Sequence, residues 1–220
     1  MLEVGIPYSD PLADGPTIQS ASSRALSNGA TVDASLRSIT SAASQLNDTP
    51  LVVLAYYNTV LQRSFRTFAQ QLSDSGVSGL LVPDAPLEEA FVLRDACDAC
   101  NVELSLLVTP ATPDERIQSL SSASRGFVYL VAVTGVTGAR SEISIELPGV
   151  LKRVKDVNEL PVAVGFGVSA PEHATQLAQM GAEGVIVGSA LVKQLGESSS
   201  DHDGIEAMSS LAHSIHSGLP

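Results

Sequence analysis

The sequence predicts an α/β fold of the TIM, or (β/α)8, barrel type, and three observations predict it. Short apolar, β-rich runs recur along the 220 residues, with amphipathic helical patterns in most of the gaps. Polar and glycine-rich motifs follow nearly every run, as expected when one rim of a barrel builds the whole site. Glycine-containing pairs follow the last two runs, GFG at 165–167 and GS at 188–189, where such barrels usually hold a phosphate. With 44% hydrophobic residues the chain can fill one core, and residues 1–220 read as a single barrel domain.

The strand runs are LEVGI at 2–6, LVVLAY at 51–56, GLLVP at 79–83, VELSLLV at 102–108, GFVYLVA at 126–132, PVAVGF at 161–166 and EGVIVGS at 183–189. Continuous apolar strands separated by helices mean a parallel sheet covered on both faces. Between them, ATVDASLRSITSAASQL, RTFAQQLSDSG, EEAFVLRDACDAC and EHATQLAQMG carry helical periodicity and read as outer helices. An open doubly wound sheet is the alternative, but it would gather polar motifs at one switch point, and no GxGxxG follows the first strand. Seven strands are visible, whereas a closed barrel of this type has eight, so the first strand and first helix are expected to be missing.

Twelve Lys plus Arg against 24 Asp plus Glu give a net charge of −12, with no basic run, which argues against nucleic acid and anionic membranes as partners. An anionic small substrate remains compatible, because backbone N–H groups and helix ends can hold it. No apolar run is long enough to span a bilayer. Cys97 and Cys100 form a CxxC without a second pair, inside a helical pattern, and read as reduced thiols of an intracellular protein. His173, His202, His213 and His216 fall on helical or tail segments away from the strand ends, and His213 and His216, three apart, lack carboxylate or cysteine company, so no metal site is expected.

Chemistry concentrates at the opening, MLEVGIPYSDPLADGP. Alternation in LEVGI points Leu2, Val4 and Ile6 to one face and Glu3 and Gly5 to the other. If the first face packs on helices, Glu3 points into the barrel, where apolar surroundings would raise its pKa toward that of a group able to give and take protons. Pairing to a Lys or Arg is the plainer alternative. The loop PYSDPLADGP holds three prolines and a glycine, so its backbone is shaped. Within it Asp10 or Asp14 could cap a helical turn, bind a partner or act on substrate, and spacing alone favours capping. TGVTGAR at 134–140 reads as a lid or a phosphate cradle, and GFGVS and VGSALV place N–H groups before helices. Three such loops on one rim favour a phosphomonoester.

With GIPYSDPLADGPTIQ, YYN, PDAPLEE, FVYLV…GVTGAR, VGFGVS and VIVGSALV in fixed order from Glu3 to about Gly196, the chain resembles the tryptophan synthase α-subunit family, and its phrasing is most similar to plant and algal members, which include stand-alone indole-3-glycerol-phosphate lyases. The resemblance implies a barrel that cleaves indole-3-glycerol phosphate to indole and glyceraldehyde 3-phosphate, a retro-aldol reaction without cofactor, PLP being expected only on a partner β subunit in an α2β2 complex. By motif position it implies Glu3 as general acid/base, Asp14 as acceptor from the indole N–H, and Tyr129 beside this pair. It implies Gly138, Gly167, Gly188 and Ser189 around the phosphate, and Thr137 on a closing loop. Ile18, Leu54, Tyr56, Asp84 and Ile186 would line or support the indole pocket, and Asp10 would face the β subunit. A plastid stroma address follows for a plant or algal source, and a cytoplasmic one otherwise.

Family members carry a leading helix, a first strand and a first barrel helix before this point, which accounts for the count of seven and leaves an unclosed barrel with unpaired edges. The expectation is a fragment, a truncated gene model or a short isoform that encodes the lyase chemistry but, made alone, is poorly stable and weakly active or inactive. A stand-alone lyase of defence metabolism and a non-catalytic partner of the β subunit are the competing readings. A Schiff-base aldolase is disfavoured because Lys152, Lys155 and Lys193 fall in helical patterns.

Overall fold

Each predicted strand run forms strand in the computed structural model, which describes residues 1–220 apart from Asn47, 133–145, Phe166 and Pro220. In chain order the elements begin β1 (Leu2–Gly5), α1 (Pro16–Ser27), α2 (Val32–Ala43), β2 (Leu51–Leu54), α3 (Tyr57–Gln62), α4 (Phe65–Asp74), β3 (Gly79–Leu81), α5 (Leu87–Asp98) and β4 (Glu103–Ser105). They continue with β5 (Leu107–Val108), α6 (Asp114–Ala123), β6 (Val128–Val131), α7 (Leu147–Lys155), β7 (Val162–Gly165), α8 (Pro171–Gln179), β8 (Gly184–Ile186), α9 (Ser189–Glu197) and α10 (Asp201–Ser217). The chain forms two compact units, the first of Met1–Ala13, Ser22–Leu106 and Ser119–Gly126, the second of Asp14–Ala21, Leu107–Gln118 and Phe127–Pro220.

The first unit holds a parallel sheet in the order β1-β2-β3-β4. Val53, Leu80 and Leu104 are fully buried in its strands, and Phe68, Ala69 and Leu72 bury the face that α4 repeats every three to four residues. Each fully buried leucine or phenylalanine contributes about 1.5–3 kcal/mol. Cys97 and Cys100 are free and buried, and burial pushes the Cys97 thiol up to about 12, far from thiolate reactivity.

The second unit holds a parallel sheet in the order β5-β6-β7-β8. Every residue of β6 and β7 is buried. On α7, Leu147, Val150, Leu151 and Val154 form one apolar stripe, while Lys152, Arg153 and Lys155 occupy its last turn, where cations suit the helix dipole. Arg153 donates to the Asp114 carboxylate at 2.5 Å and to the Thr112 carbonyl at 2.8 Å, fixing the turn that leads into α6.

One run departs from its expected form. VELSLLV is not one strand but β4 and β5, interrupted at Leu106. There the Leu106 N–H donates to the Ser124 hydroxyl at 3.2 Å, while the Arg125 N–H takes the Leu104 carbonyl at 2.7 Å. Among the described residues, no helix is long and apolar enough to cross a membrane, and no group of three or more His, Cys, Asp or Glu could hold a metal ion.

Candidate active site

In the first unit, Glu3 lies on β1 opposite Val52 and is half-buried. The face expected to pack on helices is buried at Ile6, half-buried at Val4 and 44% exposed at Leu2, because β1 is the outer strand of its sheet and pairs only with β2 among the described residues. Leu54 ends β2, and Tyr56, two residues on, is 2% exposed. Asp84 follows β3 and accepts the Tyr57 N–H at 2.7 Å, so it supplies from a distance the N-terminal cap that α3 lacks locally.

The loop between β1 and α1 is held in the same unit up to Ala13. The Tyr8 ring stacks on Tyr56 with centroids 4.9 Å apart and planes at 18°. The Tyr56 hydroxyl accepts the Ala13 N–H at 3.1 Å. Asp10 is exposed and accepts the Ser9 hydroxyl at 2.6 Å.

In the second unit, Asp14 is half-buried, and its carbonyl accepts the Gln19 side-chain amide at 2.8 Å. Ile18 is half-buried on α1. Tyr129, 7% exposed on β6, pairs with Leu107 on one side and Ala163 on the other. Its ring lies across Gly165: a Cβ there would stand 2.6 Å from Tyr129 Cζ and 2.8 Å from Cε1. Gly165 also pairs with Ile186, the last residue of β8. Gly167 follows at φ +83°, the left-handed region that favours glycine, and is exposed.

Gly188 is the N-cap of α9 and Ser189 its first residue, both exposed, with the Gly188 carbonyl accepting the Leu191 and Val192 N–H groups at 3.0 and 3.1 Å. His173, in the first turn of α8, accepts the Ser169 N–H at 3.3 Å and so steadies the loop after β7. Lys152, Lys155 and Lys193 lie on α7 and α9, as the helical patterns predicted.

Each unit thus brings part of the expected set together: Glu3, Leu54, Tyr56 and Asp84 around β1, β2 and β3, and Tyr129 and Ile186 around β6, β7 and β8. Thr137 and Gly138 lie outside the described residues. Tyr8 and Gly165 are additions of the structure. The GFG motif marked Gly165 in the sequence, but the reason for it, a tyrosine on the preceding strand, is not local.

Parallel strands alternating with helices, with the distinctive residues on the strands and in the segments that follow them, define the barrel class of α/β proteins. The family model described as tryptophan synthase alpha chain matches residues 1–217. Tryptophan synthase alpha chains of a Cyanothece strain and of Arabidopsis thaliana are 45% and 44% identical over 219 residues, covering all of this chain and 81% and 79% of theirs. The chain belongs to the tryptophan synthase alpha chain family. A mutant α-subunit from the hyperthermophile Pyrococcus furiosus superposes with a TM-score of 0.89 at 37% identity, covering 98% of this chain and 85% of that one. A chain from the α2β2 complex of the same organism gives 0.90 at 39%, covering 98% and 86%. The expected barrel fold class is therefore the fold of its solved relatives.

Proposed function

We propose that this chain is a lyase that cleaves indole-3-glycerol phosphate into indole and glyceraldehyde 3-phosphate, as the α subunit of tryptophan synthase in tryptophan biosynthesis. The observation that supports the reading is that this member of the family carries two half-buried carboxylates, Glu3 on β1 and Asp14 in the loop that follows it.

Cleavage of the bond to indole C3 needs a proton delivered to C3, relief of charge at the ring N–H, and removal of a proton from the glycerol hydroxyl that becomes a carbonyl. Glu3 delivers and removes the protons as general acid/base, and Asp14 accepts the hydrogen bond of the ring N–H. Tyr129 is the third residue assigned to the catalytic set. Ile18, Leu54, Tyr56 and Ile186 supply the indole pocket, with Asp84 holding the Tyr56–Tyr57 backbone. Gly138, Gly167, Gly188 and Ser189 receive the phosphate, with the N–H groups opening α9 suited to an anion. Thr137 is assigned to substrate binding. The cleavage uses no cofactor, and PLP belongs to the β subunit.

Asp10 is the residue assigned to that partner. Its exposure, and that of Leu12 at 82%, in a loop whose neighbours are pinned, support a partner-facing role. For a plant or algal source the site of action is the plastid stroma. Indole release from indole-3-glycerol phosphate by the purified chain, with and without a β subunit, tests the proposal. Slow release alone and strong stimulation by the β subunit are expected. Release without stimulation would favour the stand-alone lyase, and β-subunit binding with no release would make the chain a non-catalytic partner.

A further inference from the structure

We infer that Tyr56 and Tyr8 are positioning residues for Asp14: the Tyr56 hydroxyl, braced by the Tyr8 ring, fixes the backbone one residue ahead of that carboxylate. The inference rests on the lyase reading and deepens it, because lining an indole pocket requires only the Tyr56 ring.

Tyr56 is well placed to act as a fixed post. It is 2% exposed and directly precedes α3, where Asp84 takes the Tyr57 N–H at 2.7 Å. Its hydroxyl accepts from Ala13, 43 residues away in sequence, at 3.1 Å. Tyr8 stacks on the same ring at 4.9 Å, and its own hydroxyl accepts the Asn58 side-chain amide at 3.4 Å. Both ends of the loop before Asp14 therefore meet one side chain: Tyr8 near its start through the ring and Ala13 at its end through the hydroxyl.

The Asp14 carbonyl is held in turn by Gln19 at 2.8 Å, so the backbone is gripped on either side of the Asp14 Cα. Burial alone does not hold this stretch, since Leu12 is 82% exposed. A hydrogen-bond acceptor aimed at a ring N–H needs placement within about 0.5 Å, and a misplacement of about 1 Å can lower a rate by about 10²-fold.

Tyr56→Phe keeps the ring and the stack and deletes the hydroxyl that accepts from Ala13. With the β subunit present, it is expected to lower kcat about tenfold while KM for indole-3-glycerol phosphate stays within about twofold. Tyr8→Leu should lower kcat in the same way, Tyr8→Phe should restore it, and the Tyr8→Leu and Tyr56→Phe effects should combine less than multiplicatively because they act through one path. Hydrogen exchange at the Ala13 amide, which needs no turnover, should quicken in Tyr56→Phe. Unchanged kcat, a rise confined to KM, or an Ala13 amide equally protected in the variant would overturn the inference. A wild-type chain that releases no indole with the β subunit would sink the lyase reading itself, and the inference with it.

Discussion

The middle and the margin of each sheet are built differently. In the first unit, Val52, Val53, Leu80 and Leu81 on β2 and β3 are at most 4% exposed, whereas on β1 Leu2 is 44% exposed and Glu3 and Val4 are half-buried. In the second, all of β6 and β7 is buried, while β8 is half-buried throughout and α9 after it buries nothing completely. Of the residues proposed for the site, the margins carry Glu3 on β1, and Ile186 with Gly188 and Ser189 on and after β8, whereas Tyr129 lies on the central strand β6. Stability is thus concentrated in the central strands, and a substitution at a margin should report on function more than on folding.

The sharpest test of that contrast pairs Leu80→Ala with Leu2→Ala. Removing the fully buried Leu80 side chain should destabilise by about 2–5 kcal/mol, and removing Leu2 by under about 1 kcal/mol, measured by urea denaturation. Equal losses would show that β1 is as much a part of the core as β3.

Gly165→Ala comes next. The new Cβ would collide with the Tyr129 ring, whose surroundings on β6 and β7 are buried. Overpacking of this kind disturbs a site by about 1–3 kcal/mol, so indole release should fall about tenfold or more, and shortening Tyr129 in the same chain should relieve the crowding without restoring the hydroxyl. Undiminished release in Gly165→Ala would mean that the ring can move aside freely.

The smallest effect is at the start of β8. Glu183 accepts the Val162 N–H at 3.0 Å and faces Lys155 at 3.3 Å, and that backbone hydrogen bond, helped by Lys155, holds its carboxyl below the ordinary range. A lowered folded-state pKa adds stability above the unfolded value of about 4.3, and that stability is lost as pH falls through the folded value. The carboxylate is 47% exposed, so the contribution is under about 1 kcal/mol. Glu183→Gln should therefore narrow the stability gap to wild type as pH drops from 6 toward 3, and a gap that stays constant with pH would assign the latch to packing.

The strands were legible because continuous apolar runs between helices leave few other arrangements, and helices such as α4 and α8 showed their buried faces in the same way. The interruption at Leu106 was not, because Leu104 through Val108 read as one apolar stretch and the switch depends on the Ser124 hydroxyl, 18 residues away. The site divides along the same line. Glu3 and Asp14 stood out by their motif, but the half-burial of Glu3 did not, since alternation tells which face a residue takes and not whether its strand is central or outer. The hold of Tyr56 on Ala13 and of Asp84 on Tyr57 spans 43 and 27 residues, and neither side chain differs locally from one that merely lines a pocket.

The separation of fold from chemistry is tested most directly at Glu3. Glu3→Gln preserves size and hydrogen-bonding reach while removing the proton transfer, so in complex with a β subunit it should lose about 10²-fold or more in indole release with a Tm close to wild type. Retained release would contradict the assignment of Glu3 as general acid/base, and a fall in Tm matching the fall in activity would contradict the claim that the margin of the sheet carries function rather than stability.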